Sequence, residues 1–211
     1  MSTRRAFVPV GRLVLYVVLI AAIGGAAWYI YDKSAKTEED GGQLVAPDPS
    51  ALSKYLVDQH RSAATNPAVL ALTDAAQLSD KLAVWLGTRK TLEDLFGDKA
   101  PVQFVGARES RVPGGGAAGG RDAPSVQLVF KTDAAGGADR TVSLFLKKYM
   151  QSPRMDDKAA FTLAAKGPSV GDIVVWRSGG LLYNLVGPQA AVDALRGGLG
   201  APPPSGEYPG H

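Results

Sequence analysis

Residues 172–188, DIVVWRSGGLLYNLVGP, decide the fold. Two apolar runs rich in β-branched and aromatic residues flank Ser178-Gly179-Gly180. Runs of that length about a Gly-Gly turn predict a β-hairpin. Upstream, the same period of two recurs. SVQLVFK (125–131) sets Val126, Leu128 and Phe130 against Gln127, Val129 and Lys131. RTVSLFLKK (140–148) puts Val142, Leu144 and Leu146 on one face. PVQFVGARES (101–110) reads as a further strand, and AAFTLAA (159–165) as a weaker one. The connections between them are too short for helical crossovers, so neighbouring strands should be antiparallel.

Helical spacing appears at both ends of this strand region. Asp48 is placed to cap and Pro49 to open a first helix, with Leu52, Tyr55, Leu56 and Gln59 on one stripe. Ala75 to Arg89 predicts a second helix, carrying Leu78, Leu82, Trp85 and Leu86, with Gly87 near its end. PQAAVDALRGGL (188–199) predicts a third, with Val192, Leu195 and Leu199 apolar. The expectation is an α+β domain over residues 51–199: a largely antiparallel sheet of five or six strands with flanking helices covering one face.

Before that domain, residues 13–30 carry no charge. Val8, Val10 and Tyr31 extend the run toward the roughly 20 residues that cross a bilayer. Trp28, Tyr29 and Tyr31 supply an interfacial belt. Arg4, Arg5 and Arg12 precede the run with no acid among them, which places the N-terminus in the cytoplasm. The sequence thus predicts a cytoplasmic stub (1–12), a transmembrane helix (13–31), a polar linker (32–50), the exported domain, and a Pro/Gly-rich disordered tail (200–211). A cleaved export signal is the rival: TRRAFV (3–8) is similar to a twin-arginine signal and Gly25-Ala26-Ala27 suits cleavage. Both readings export the same domain. Ala21 with Gly25, and Ala22 with Ala26, give small residues four apart; they suit helix association, or an ordinary Ala/Gly-rich anchor.

Charge narrows the partners. Of 23 basic residues three precede residue 13, leaving 20 to face 20 acids in the rest of the chain. A neutral domain lacks the basic excess that a nucleic-acid surface needs. The chain has no cysteine, which excludes disulfides, thiolate metal sites and cysteine nucleophiles.

Candidate chemistry is sparse, and no catalytic, cofactor or metal residue is assigned. His211 lies in the tail, and His60, near the end of the first helix, reads as a surface or cap residue. With no second His nearby and no Cys, a zinc site is not expected. GGGAAG (114–119) fits Gly-x-Gly-x-x-Gly formally, but a strand rather than a helix N-terminus follows, so it reads as a hairpin loop. Glu93–Asp94 and Asp156–Asp157 are adjacent acids that point different ways, suited to solvated loops or helix starts. Trp85, Trp176 and Tyr183 read as core or interface aromatics.

The exported portion resembles the extracytoplasmic half of bacterial transmembrane anti-sigma factors. The stretches that carry the resemblance are LSDKLAVWLGTR (78–89), FVGARESRVPGG (104–115), SVQLVFKTDAAGG (125–137), RTVSLFL (140–146) and VVWRSGGLLYNLVGPQAAVDAL (174–195). The resemblance implies a non-enzymatic sensing or protein-interaction module on one membrane span. Such proteins pair it with a cytoplasmic sigma-binding domain, often with a His-x-x-x-Cys-x-x-Cys signature. Residues 1–12 hold neither His nor Cys. The expectation is therefore an inner-membrane, single-pass, anti-sigma-factor-like periplasmic domain. Its partner would be another envelope or membrane protein. An accessory or structural subunit of a larger inner-membrane complex is the alternative.

Overall fold

Asp48 opens the first helix as the sequence predicts: its carboxylate accepts from the Ser50 amide at 3.1 Å, and Pro49 begins α1 (Pro49–Thr65). The computed structural model describes residues 48–97, 102–113, 123–132, 140–149, 155–157, 159–165 and 170–208. The stub, the expected span, most of the linker, the GGGAAG loop and His211 lie outside these residues. Among the described residues no helix is long and apolar enough to cross a membrane.

The predicted second helix is divided. Ala75–Gln77 form a 3-10 turn, and α2 runs only from Leu78 to Leu86. Gly87, at φ 69°, takes the left-handed conformation that ends a helix without a Cβ clash. A short α3 (Leu92–Phe96) follows. Thr91 and Asp94 cap it reciprocally: the Asp94 amide donates to Thr91 Oγ1 at 3.1 Å, and the Thr91 amide to Asp94 Oδ2 at 2.7 Å. Glu93–Asp94 is thus a helix start.

Among the described residues six strands form one sheet: β1 (Val102–Val112), β2 (Ala123–Thr132), β3 (Thr141–Lys148), β4 (Ala160–Leu163), β5 (Ile173–Ser178) and β6 (Leu181–Val186). Their order is β1-β2-β3-β6-β5-β4 and every pairing is antiparallel. The opening hairpin is β5–β6. Ser178 pairs with Leu181, and Gly179 and Gly180 have φ 56° and 75°, the two positive values of a tight primed turn. α4 (Gln189–Gly198) follows β6. The architecture is α+β, with an antiparallel sheet and flanking helices.

Helices cover both faces, not one. α2, α3 and α4 bury Val126, Leu128, Phe130, Val142, Leu144 and Trp176 on one side. α1 covers the other, where Leu52, Leu56 and Val57 meet Phe145, Val175, Leu182 and Val186. The alternation in 140–148 hid this, because Ser143 and Lys147 read as outward-facing yet are buried beneath α1.

The end of the chain is also packed further than expected. Pro/Gly content at 200–211 suggests disorder, but residues 205–208 run beside β4 and Tyr208 is buried. A strand edge offers unpaired amides and carbonyls, and this segment satisfies several of them.

Candidate functional site

The side chains with chemistry collect under α1. His60 is buried, 2 % exposed, rather than on the surface. Its Nδ1 lies 3.0 Å from Ser143 Oγ on β3. Gln127 Nε2 donates to the same hydroxyl at 2.9 Å. Gln127 Oε1 accepts from Arg108 Nε at 2.7 Å, and Arg108 Nη2 reaches Gln59 Oε1 at 2.6 Å. The chain of bonds thus starts and ends on α1, passing through β1, β2 and β3. Partial burial lowers the Arg108 pKa from its usual value; at neutral pH the guanidinium stays charged.

Register explains the lane. Arg108 pairs with Gln127, Gln127 with Phe145, and Phe145 with Asn184, so these four share one row on the α1 face. The next row holds Ser110, Ser125 and Lys147. Tyr55 Oη and Ser110 Oγ are 2.7 Å apart, and the Ser125 hydroxyl accepts from the Val112 amide at 3.1 Å. α1 is also held at its start by Ser53, whose hydroxyl donates to the Ala164 carbonyl at 2.7 Å.

Two members of these rows are costly to bury. Asn184 is fully buried, and neither its amide oxygen nor its nitrogen has a partner. Such a group costs about 1–3 kcal/mol of desolvation. Lys147 is 5 % exposed with no carboxylate beside it among the described residues, and burial brings its ammonium down to a pKa of about 8.

His60 and Ser143 together have the composition of half a nucleophile–base arrangement. Their setting does not suit that chemistry. Ser143 sits mid-strand in the middle of the sheet at zero exposure, with α1 overhead, so a reacting carbonyl has no approach. Neither residue lines the cavity at Asp48–Tyr208 or the one at Glu109–Pro124. What the arrangement does is fix α1 on the sheet through directional bonds.

The remaining predicted residues separate from this lane. Trp176 and Tyr183 stack at 4.9 Å and 15° on the opposite face, within the core. Trp85 is half-buried at the edge of that core. Asp157 pairs with Arg177 at 3.4 Å, and the Arg177 guanidinium lies 4.2 Å above the Tyr149 ring. Asp156 is exposed. Among the described residues no three His, Asp or Glu side chains converge as metal ligands.

No family model and no curated protein sequence matches the chain. Among solved structures, a GTP-binding regulator from Thermotoga maritima is similar at 13 % identity, over 49 % of this chain and 79 % of that one. The TM-score is 0.33, too low to transfer either fold or function.

Proposed function

We propose that this protein is a membrane-anchored, non-enzymatic periplasmic domain of the anti-sigma-factor-like type, acting as a sensing or protein-interaction module. The observation that carries the reading is the uncharged run at 13–30, preceded by three arginines and followed by a neutral domain. Two features of the domain support it. Its helix nearest the predicted span, α1, is fixed to the sheet by a polar lane, an attachment a partner could bias. Its Ser–His pair sits where no substrate reaches. A partner with its own cytoplasmic output would carry the signal inward.

In-membrane crosslinking of the full chain, followed by partner identification, tests this. One or a few envelope proteins should be recovered well above background; recovery of none would contradict it. The small-residue spacing at Ala21/Gly25 supports the second reading, an accessory subunit of an inner-membrane complex. Under that reading Gly25→Leu abolishes co-purification with the complex, whereas unchanged co-purification counts against it.

A further inference from the structure

β4 is the last strand of the sheet, and its outer edge is filled by the chain's own end. Glu207 bridges Thr162 in parallel register. The Thr162 amide donates to the Gly206 carbonyl at 2.9 Å, the Tyr208 amide to the Thr162 carbonyl at 2.7 Å, and the Ser205 amide to the Ala160 carbonyl at 2.9 Å. Tyr208 inserts its ring beside Leu52, Leu163 and Ile173. This is the geometry by which an extended peptide adds a strand to a sheet edge and seats alternate side chains in pockets.

The fit is incomplete in two respects. The Tyr208 hydroxyl is buried without a partner. Beside it lies a cavity of about 540 Å³ lined by Asp48, Asp172 and Glu207, together with Ser53 and Leu163. No basic side chain is among its described lining residues. The strap thus adds a third carboxylate to a site that already has two. Its hold is three main-chain bonds, two hydroxyl bonds (Ser205 Oγ to the Ala160 carbonyl at 3.1 Å and Thr162 Oγ1 to the Gly206 carbonyl at 3.3 Å) and one ring, and Pro202–Pro204 lead into it as a stiff spacer.

We propose that the β4 edge is a strand-acceptor site for an extended segment of a protein partner, and that residues 205–208 occupy it as a displaceable strap. The preferred segment carries an aromatic residue in the place of Tyr208. It carries a lysine or arginine in the place of Glu207, facing Asp48 and Asp172. This rests on the interaction-module reading, but the peptide titration that tests it can fail independently of partner recovery from membranes.

The test uses the full chain in detergent, as wild type and as the double variant Ser205→Pro/Tyr208→Ala, which removes both Ser205 bonds to the Ala160 carbonyl and the ring. The probes are labelled peptides of residues 201–211, with the native sequence and with Glu207→Lys, read by fluorescence anisotropy. The variant should bind the native peptide at least ten-fold more tightly than the wild type does. The Lys peptide should bind the variant several-fold more tightly again at low salt, and Asp172→Asn should erase most of that gain. Equal binding by variant and wild type would overturn the site, and equal binding of the two peptides would overturn the charge preference. Dimerisation of the variant without peptide binding would overturn the acceptor role in favour of exchange between copies. If the variant does not fold, amide exchange on the wild type with excess Lys peptide decides. Ser205 and Tyr208 amides should lose protection while Thr162 keeps it; unchanged protection of all three would overturn the proposal.

Discussion

On one side of the sheet Leu128, Phe130, Leu144 and Trp176 meet Leu78, Leu82, Val192 and Leu195, an almost entirely apolar contact. On the other, Leu52 and Leu56 of α1 share their interface with Gln127, Ser143, Asn184 and Lys147. The same strands build both sides, so backbone geometry does not distinguish them. The difference lies in what each helix must satisfy as it docks. Apolar packing needs only shape and volume, whereas the α1 face needs donors and acceptors to find one another and leaves the Asn184 amide without a partner. α1 is therefore the helix whose docking carries the largest polar cost, and in sequence it is the one that follows the predicted membrane span.

Substitutions on the two faces should differ in size and in sign. The largest loss is expected on the apolar side: Leu128→Ala should destabilise by about 3–4 kcal/mol in urea unfolding, through lost transfer energy and the cavity left behind. Lys147 gives the next effect. Its folded pKa of about 8 lies below the ordinary lysine value near 10.5, so between those pH values the unfolded chain binds the proton that the folded chain has released. Stability should rise as pH increases from about 8 towards 10, by up to roughly 3 kcal/mol, and be flat below. Lys147→Met should remove this rise and stabilise the protein at pH 7; a parallel rise in the variant would assign it to another group.

Smaller effects sharpen the contrast. Arg108→Ala leaves Gln59 and Gln127 short of a donor and should cost about 1–3 kcal/mol, together with faster amide exchange confined to α1. Asn184→Leu should be neutral or stabilising by about 1 kcal/mol, since it removes an unpartnered amide from an apolar setting. The same measurement on Leu185→Asn, one residue along and facing the other helices, should show a loss instead.

How much of this is legible in the sequence follows from how local each signal is. The 172–188 hairpin is readable because its turn glycines and apolar runs adjoin. Asp48 and Pro49 mark α1 for the same reason. α3 escapes because five residues are too few for a periodic pattern, although Thr91 and Asp94 spell its capping box. The second covered face escapes because Ser143 and Lys147 look solvent-facing in isolation; only α1, more than 80 residues earlier, buries them. His60 is misread as exposed for that reason, since its partner Ser143 is fixed by tertiary pairing and no spacing rule connects the two. The ordered strap is hidden behind a composition that ordinarily signals disorder, because a free edge at β4 exists only once the sheet is assembled.

Native-state amide hydrogen exchange on the full chain, resolved by residue and followed at low denaturant, tests the asymmetry between the faces most directly. The amides of α1 should exchange through a sub-global opening at least ~2 kcal/mol less costly than that of β3, β6 and α4, and Asn184→Leu should narrow the gap. Exchange of α1 together with β3 and β6, only on global unfolding, would contradict it.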